Sequence, residues 1–376
     1  MEALKIRENI YWVGAIDRDV RIFHGYETPK GTTYNAYLVL DEQITLIDTV
    51  KAAFTGEMIS RIESVVPLDK IDNIISNHVE PDHSGALPIM AEKCPNAKIY
   101  TSPNGDKALK AYYKGLRGRE LNIVKTGEGI RTGKYGFRFV LMPMVHWPDS
   151  MATYLEEEKI LFPNDAFGQH IASDQRYDFQ LGRELFFERS ADYYGNIVLP
   201  FGPQVSRVLG DISGLEIGLI CPSHGVMLKD FIGEAAEKYA FWAGGGIDEG
   251  KAVIVYDSMW GATAKMAEKI ACEYREKGVQ CLLFNLGKQH FSTVMGHALE
   301  AKYIFVGSST LNRGVMPTVA AFLCYLKGLG PKGAGRVGMA FGAYGWSGES
   351  VGIVEDALSG MGYQIMPSQK LMWWPE

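Results

Sequence analysis

The sequence predicts a two-domain α/β protein, a four-layered αββα sandwich followed by a doubly wound parallel sheet, and three observations carry that prediction. Through the first two thirds, apolar strand-like runs end repeatedly in turns that hold His, Asp or Glu. The glycine-rich Ala243-Gly244-Gly245-Gly246 follows an aromatic helical stretch ending at Phe241-Trp242 and reads as a flexible joint. Beyond it, three short apolar runs each lead into a loop rich in glycine or hydroxyl groups. The chain has 376 residues, 47% of them hydrophobic, enough for two ordinary cores of about 240 and about 125 residues. The expected limits are 1–246 and 251–376.

Apolar patterning places strands near Ile10–Gly14, Thr33–Leu40 and Ile44–Asp48, a helix near Ala53–Val65 and a strand near Ile71–Ser76. Further buried strands are expected at Phe137–Met142, Lys159–Phe162 and Glu216–Cys221. Between Gln175 and Ser206 the pattern turns helical and aromatic. In the second domain Ala252–Tyr256 reads as a strand, Ala264 to about Lys277 as a helix, and Tyr303–Val306 and Val337–Phe341 as strands. No internal repeat is visible.

The chemistry concentrates in Ser76-Asn77-His78-Val79-Glu80-Pro81-Asp82-His83-Ser84-Gly85. Side chains of His78, Glu80 and Asp82 alternate along an extended backbone, so a strand end or loop can aim all three at one point, with His83 turned toward a second metal. Two imidazoles and two carboxylates this close are costly unless a cation or solvent neutralises them. Downstream, His146, Asp165 and His224 each follow an apolar run and sit at a turn. Singly, either histidine would more often be structural and Asp165 a turn former. Together the seven residues supply four imidazoles and three carboxylates, enough for two metals if one carboxylate bridges.

In the second domain, Ser258-Met259-Trp260-Gly261-Ala262-Thr263 lies between a strand and a helix, where backbone N–H groups, hydroxyls and a helix dipole can cradle a phosphate. It lacks the lysine of a triphosphate-binding loop. Two more loops, Gly307-Ser308-Ser309-Thr310-Leu311-Asn312 and Gly342-Ala343-Tyr344-Gly345-Trp346-Ser347-Gly348, follow strands whose carboxyl ends would form one ligand edge.

These motifs together resemble the flavodiiron proteins, which join a metallo-β-lactamase-like domain to a flavodoxin-like domain, and the resemblance spans essentially the whole chain. It implies that His78, Glu80 and His146 hold one iron, that Asp82, His83 and His224 hold the other, and that Asp165 bridges them. Zinc hydrolases of the β-lactamase type carry histidine where this chain has Glu80. Mixed imidazole and carboxylate ligation suits iron while leaving zinc open. The first loop is similar to a flavodoxin phosphate cradle and the other two to loops flanking an isoalloxazine ring. With Trp260, Tyr344 and Trp346 available for stacking, FMN is the implied cofactor.

The implied activity is reduction of dioxygen to water, of nitric oxide to nitrous oxide, or both. A dinuclear zinc hydrolase with an appended flavodoxin and a non-catalytic electron carrier are the alternatives. The resemblance also implies a head-to-tail homodimer, or a dimer of dimers, in which the flavin of one protomer faces the metals of the other. His24 and His170 are expected as pocket or structural histidines, and a tyrosine of the helical stretch, Tyr194, near the metals. Trp147 is expected between flavin and iron; Phe23 and Tyr26 are further pocket candidates. His290 and His297 are expected at the surface.

The five cysteines occur singly, with no Cys-x-x-Cys pair, and read as buried small hydrophobes. A fused rubredoxin needs two such pairs, so electrons are expected from a separate rubredoxin or, as in methanogen-like members, a reduced deazaflavin. The net charge of −6 and the lack of a long basic stretch argue against nucleic acid. No apolar run approaches spanning length and the N-terminus lacks a signal peptide's apolar core, so a cytoplasmic protein without membrane contact is expected. The terminal helix of a flavodoxin fold is missing after Lys370-Leu371-Met372-Trp373-Trp374-Pro375-Glu376, which leaves one sheet face expected to be partly uncovered.

Overall fold

The computed structural model describes residues 1–331 and 333–374; Pro375 and Glu376 of the expected second domain lie outside the described residues. The chain clusters into two compact units. The first comprises Met1–Arg21, Thr28–Ser190 and Pro203–Tyr239; the second comprises Ile22–Glu27, Ala191–Gly202 and Ala240–Glu376.

In the first unit, β1 (Leu4–Arg7), β2 (Ile10–Trp12), β3 (Tyr37–Val39), β4 (Ile44–Ile47), β5 (Ile71–Ile75), β6 (Lys98–Thr101) and β7 (Asn122–Ile123) form one sheet in that order. Pairing is antiparallel from β1 to β4 and parallel from β4 to β7. A second sheet runs β8 (Gly129–Arg131), β9 (Gly136–Leu141), β10 (Met151–Leu155), β11 (Ile160–Phe162) and β12 (Leu219–Ile220). One cluster of buried side chains joins them, with Trp12, Tyr37, Val39, Ile47 and Ile75 from the first sheet and Phe137, Phe139, Met151, Leu155 and Phe162 from the second. Burial of each such side chain contributes on the order of 1.5–3 kcal/mol. Helix α1 (Thr55–Glu63) buries Met58 and Ile62, and the single-turn helix α2 (Pro81–Ser84) begins with Pro81.

The strand expected over Thr33–Leu40 is broken in two. Thr32–Tyr34 pairs with Ala15–Asp17 in a separate ribbon, and only Tyr37–Val39 enters the large sheet. The break falls at Asn35, whose backbone N–H leaves the ladder for Ser223 O (2.8 Å) while its side chain anchors the turn: Nδ2 donates to the carbonyls of Pro222 (2.8 Å) and Gly225 (3.1 Å), and Oδ1 accepts from Trp12 Nε1 (2.8 Å). The expected run Glu216–Cys221 shortens to Leu219–Ile220.

In the second unit all pairings of the main sheet are parallel, in the order β14 (Gln280–Asn285), β13 (Asp248–Asp257), β15 (Ala301–Ser308), β16 (Val337–Tyr344) and β17 (Gln364–Ile365); β18 (Gln369–Met372) also pairs with β16. Helices α3 (Ala262–Glu276), α4 (Pro317–Leu329) and α5 (Glu349–Gly360) follow β13, β15 and β16. Two apolar clusters form, one including Ile254, Ile270 and Phe305 and the other including Val306, Phe322 and Val354, as a doubly wound sheet requires.

The expected flexible joint is instead a hydrogen-bonded helix end. The N–H groups of Gly244, Gly245 and Gly246 return to the carbonyls of Ala240, Trp242 and Phe241 at 2.8–3.0 Å, satisfying acceptors that a helix terminus would leave open. Cys94, Cys221 and Cys281 are buried as expected, but Cys272 on α3 and Cys324 on α4 are exposed, because they fall on the helix faces turned from the sheet. His290 and His297 are half-buried rather than at the surface; the His290 ring accepts from Ser292 N and caps a short helix. Among the described residues no helix is long and apolar enough to cross a membrane.

Candidate functional site

Strand β5 is buried except at Asp72 and stops at Ile75, so the chain leaves the sheet with its next side chains at the sheet's carboxyl edge. His78 and Glu80 lie on the loop that follows. Asp82, expected in extended backbone, sits with His83 on α2, because Pro81 fixes a helical φ and the N–H groups of His83 and Ser84 both donate to Glu80 O. Asp48 fastens this loop from β4: it accepts from Asn77 N (2.7 Å) and Asn77 Nδ2 (3.0 Å), while Thr153 donates to Asn77 Oδ1 (2.8 Å). Burial pushes the Asp48 carboxyl up to about 6 against those hydrogen bonds.

His146 follows β9, Asp165 follows β11 and His224 follows β12. The segments that carry His146 and Asp165 are bent where side chains are disfavoured, at Met144, Asn164 and Phe167, and so is the chain at Asp48; all four have φ between 57° and 68°, conformations that persist only where surrounding contacts hold them. Gly225, beside His224, has φ +78°, and a Cβ there would lie 2.3 Å from Gln169 Oε1. Glycine is needed for both reasons.

The seven side chains form two buried groups, His78, Glu80, His146 and Asp165 in one, Asp82, His83 and His224 in the other, with donor atoms in each within 4.8 Å of one another. Glu80 Oε2 lies 3.3 Å from His78 Nε2 and 3.4 Å from His146 Nε2. Asp82 Oδ2 lies 3.2 Å from both His83 Nε2 and His224 Nε2. Asp165 divides its oxygens between the groups. Its Oδ2 lies 3.2 Å from His146 Nε2 and 3.5 Å from His78 Nε2. Its Oδ1 lies 3.1 Å from His83 Nε2 and 3.6 Å from His224 Nε2.

Electrostatics shows what the cluster lacks. Burial disfavours the His83 imidazolium, yet Asp82 and Asp165 outweigh it and raise the group to about 9. Burial likewise opposes charge on Asp165, and the surrounding histidines hold its carboxyl well below the usual range. Even so, both oxygens of Asp82, Asp165 Oδ1 and His83 Nε2 are buried with no hydrogen bond among the described residues. Buried polar atoms in this state call for a cation. Imidazole and carboxylate donors without thiolate fit a pair of iron ions.

Behind the donors, His78 Nδ1 meets Asp149 Oδ2 at 2.9 Å and His224 Nδ1 meets the Thr33 carbonyl at 2.7 Å. A carbonyl only accepts, so His224 carries its proton on Nδ1 and turns the Nε2 lone pair inward. Sequence reading had no role for Asp149, although it stands three residues from His146 in the same segment. The carbonyl of Thr33 left no side-chain signal at all. His170 is buried, its Nδ1 2.6 Å from Thr32 Oγ1 and its ring 4.7 Å from that of His224. Trp147 is half-buried, edge-on to the His78 ring at 5.3 Å. Phe23, His24, Tyr26 and Tyr194 belong to the second unit. There His24 is exposed on a hairpin turn and Tyr194 is fully buried, 5.0 Å from the ring of Trp242.

The second unit carries a cleft of about 670 Å³ at the carboxyl edge of its sheet, lined by Met259, Trp260 and Ala262, by Ser309 through Arg313, by Ala343 through Ser347, and by Trp373 and Trp374. Ser258, Gly261, Thr263 and Gly348 do not line it. Ser258 Oγ instead accepts from Gly261 N (3.1 Å), and the buried Thr263 hydroxyl meets Ser309 Oγ at 3.0 Å, so they shape the turn at the start of α3. Arg313, Trp373 and Trp374 were not anticipated, because they lie outside the three loops.

A family model described as ODP family beta lactamase matches residues 32–225, and a flavodoxin model matches residues 254–368. The nitric oxide reductase of Moorella thermoacetica is 40% identical over 100% of this chain and 94% of its own length. The structure of rubredoxin oxygen:oxidoreductase from Desulfovibrio gigas is 40% identical, covers 100% of this chain and 94% of that one, and superposes with a TM-score of 0.94. The flavodiiron protein of Giardia intestinalis is 34% identical over 100% of this chain and 92% of that one, with a TM-score of 0.97. With its two domain matches in order and relatives aligned from end to end, the chain belongs to the flavodiiron proteins.

Proposed function

We propose that this chain is an FMN- and diiron-dependent oxidoreductase that takes electrons from an external donor and reduces dioxygen to water, nitric oxide to nitrous oxide, or both. The observation that carries the reading is Asp165, whose two oxygens face two separate groups of donors. In this assignment His78, Glu80 and His146 hold one iron, Asp82, His83 and His224 the other, and Asp165 bridges. When bound, the metal pair and FMN supply the electron-transfer chemistry that side chains lack.

The protein's own part is positional. Asp149 and the Thr33 carbonyl orient two imidazoles before metal arrives. Burial of all seven donors keeps bulk water from the reacting gas. In the cleft, the turn at the start of α3 with the Ser309 hydroxyl is suited to a phosphate, and Tyr344, Trp346 and Trp374 to a flat ring. The finer assignments are proposals: domains at 1–246 and 251–376, His24 and Tyr194 in the gas pocket, rubredoxin or a reduced deazaflavin as donor, and a cytoplasmic head-to-tail homodimer. Full activity of monomers at high dilution would rule the dimer out.

Glu80, where zinc hydrolases have histidine, and the flavin domain weigh against the hydrolase. Metal and flavin content, followed by anaerobic reduction and separate addition of each gas, tests the proposal. About two irons and one FMN per chain with rapid reoxidation are expected; zinc with a slowly reoxidising flavin would overturn it.

A further inference from the structure

Among the described residues, Arg313 contributes the sole charged side chain to the lining of the cleft, and it does so from a backbone that disfavours it. The chain reverses at Asn312-Arg313 with φ of 49° and 60°. Leu311 and Gly314 exchange hydrogen bonds across the turn, Leu311 N to Gly314 O at 3.0 Å and Gly314 N to Leu311 O at 2.8 Å. A two-residue turn with both central φ values positive favours asparagine first and glycine second. Asparagine is present; where glycine fits, this chain has arginine.

The guanidinium is also uncommitted, in no hydrogen bond or ion pair among the described residues. Two charged groups lie on neighbouring elements, Lys370 on β18 and Glu349 on α5. Lys370 Nζ sits 5.6 Å from the Tyr344 ring centre. Glu349, at the start of α5, is held below the usual carboxylate range mainly by backbone and Ser347 hydrogen bonds, with Arg313 and Lys370 adding to them. The charge of Arg313 is therefore felt beside the Trp346-Ser347-Gly348 loop, whereas the hydroxyls suited to phosphate gather at Ser258, Thr263 and Ser309.

Resting on the FMN reading above, we propose that Arg313 is a positioning residue that stabilises the negative charge a flavin ring acquires on reduction. Each electron entering the ring brings a negative charge that either a proton or a nearby cation must offset. A guanidinium at the cleft wall supplies that offset without proton uptake, and so raises the affinity of the bound flavin for electrons.

The test compares the FMN-loaded protein with its Arg313→Gly and Arg313→Lys variants. Arg313→Gly removes the charge while giving the turn the residue its backbone prefers, so folding is not at risk. Flavin content, FMN dissociation constant and one-electron potentials are measured anaerobically against reference dyes. Expected are equal flavin content, a dissociation constant changed less than about threefold and a roughly tenfold loss in the equilibrium constant for reduction, about 59 mV for one electron. Arg313→Lys should restore most of it. An unchanged potential in flavin-loaded Arg313→Gly would overturn the inference. So would a large loss of FMN affinity with the potential intact, which would make Arg313 a phosphate ligand. A wild-type protein that takes up no flavin would instead overturn the cofactor reading itself.

Discussion

The seven proposed ligands were legible as residues because their chemistry is unusual at such spacing: four potential donors between His78 and His83 leave few alternatives to a metal. What orients them was not legible, since the Thr33 carbonyl has no sequence signature and Asp149 looks like any turn aspartate. Asp149 touches both His78 Nδ1 (2.9 Å) and Val79 N (2.8 Å), so Asp149→Asn should keep the fold yet weaken iron binding about 10- to 100-fold, read by competition with a chelator. Asp41 tests a residue remote from the metals. Partial burial opposes its ionisation, but donors at Tyr135 N (2.8 Å), Thr132 Oγ1 (2.8 Å) and Lys134 N (3.1 Å) outweigh it and lower the carboxyl below 3.8. A depressed folded-state value means that its stabilisation is present above 3.8 and is lost as pH falls through the lower folded-state value. Denaturant midpoints between about pH 5 and pH 2 should therefore fall less steeply in Asp41→Asn than in the parent.

Strands announced by continuous apolar runs, such as Ala252–Tyr256 and Val337–Phe341, lie where hydrophobic patterning put them, because burial on both faces leaves no other use for the run. Patterning failed where a polar residue overrode it. One strand ends early at Asn35, which braces the His224 loop, a contact made across 187 positions of sequence to Pro222. It failed again at Ala243–Gly246, where glycine composition suggests freedom and the backbone hydrogen bonds of a helix end remove it. Parallel pairing of β15 with β16 depends on a close approach: a Cβ on Gly342 would lie 2.1 Å from Ser308 O. Gly342→Ala should thus separate these strands below the cleft, costing about 1–3 kcal/mol and weakening FMN binding, as thermal melts and fluorescence titration would show. Unchanged stability would mean that the strands yield without cost.

At the scale of the molecule, order along the chain made two successive domains readable, but it did not disclose which segments complete which body. The second unit takes Ile22–Glu27 and Ala191–Gly202 from far upstream. Glu27 N donates to Ser292 Oγ (3.0 Å), Asn196 Nδ2 to Ser292 O (3.2 Å) and Tyr325 OH to Asn196 Oδ1 (2.8 Å). A fragment spanning 247–376 should accordingly melt at lower temperature than the same unit in the whole chain, and peptides covering 191–202 should raise its melting point. A fragment indifferent to them would show that the upstream pieces are passengers. The borrowing also sets a timetable for synthesis on the ribosome. Tyr239, the last residue of the first unit, emerges while most of the second is untranslated, so the first body can close early. Ile22–Glu27 and Ala191–Gly202 must then wait, already made and still without their partners, until Ser292 and Tyr325 arrive.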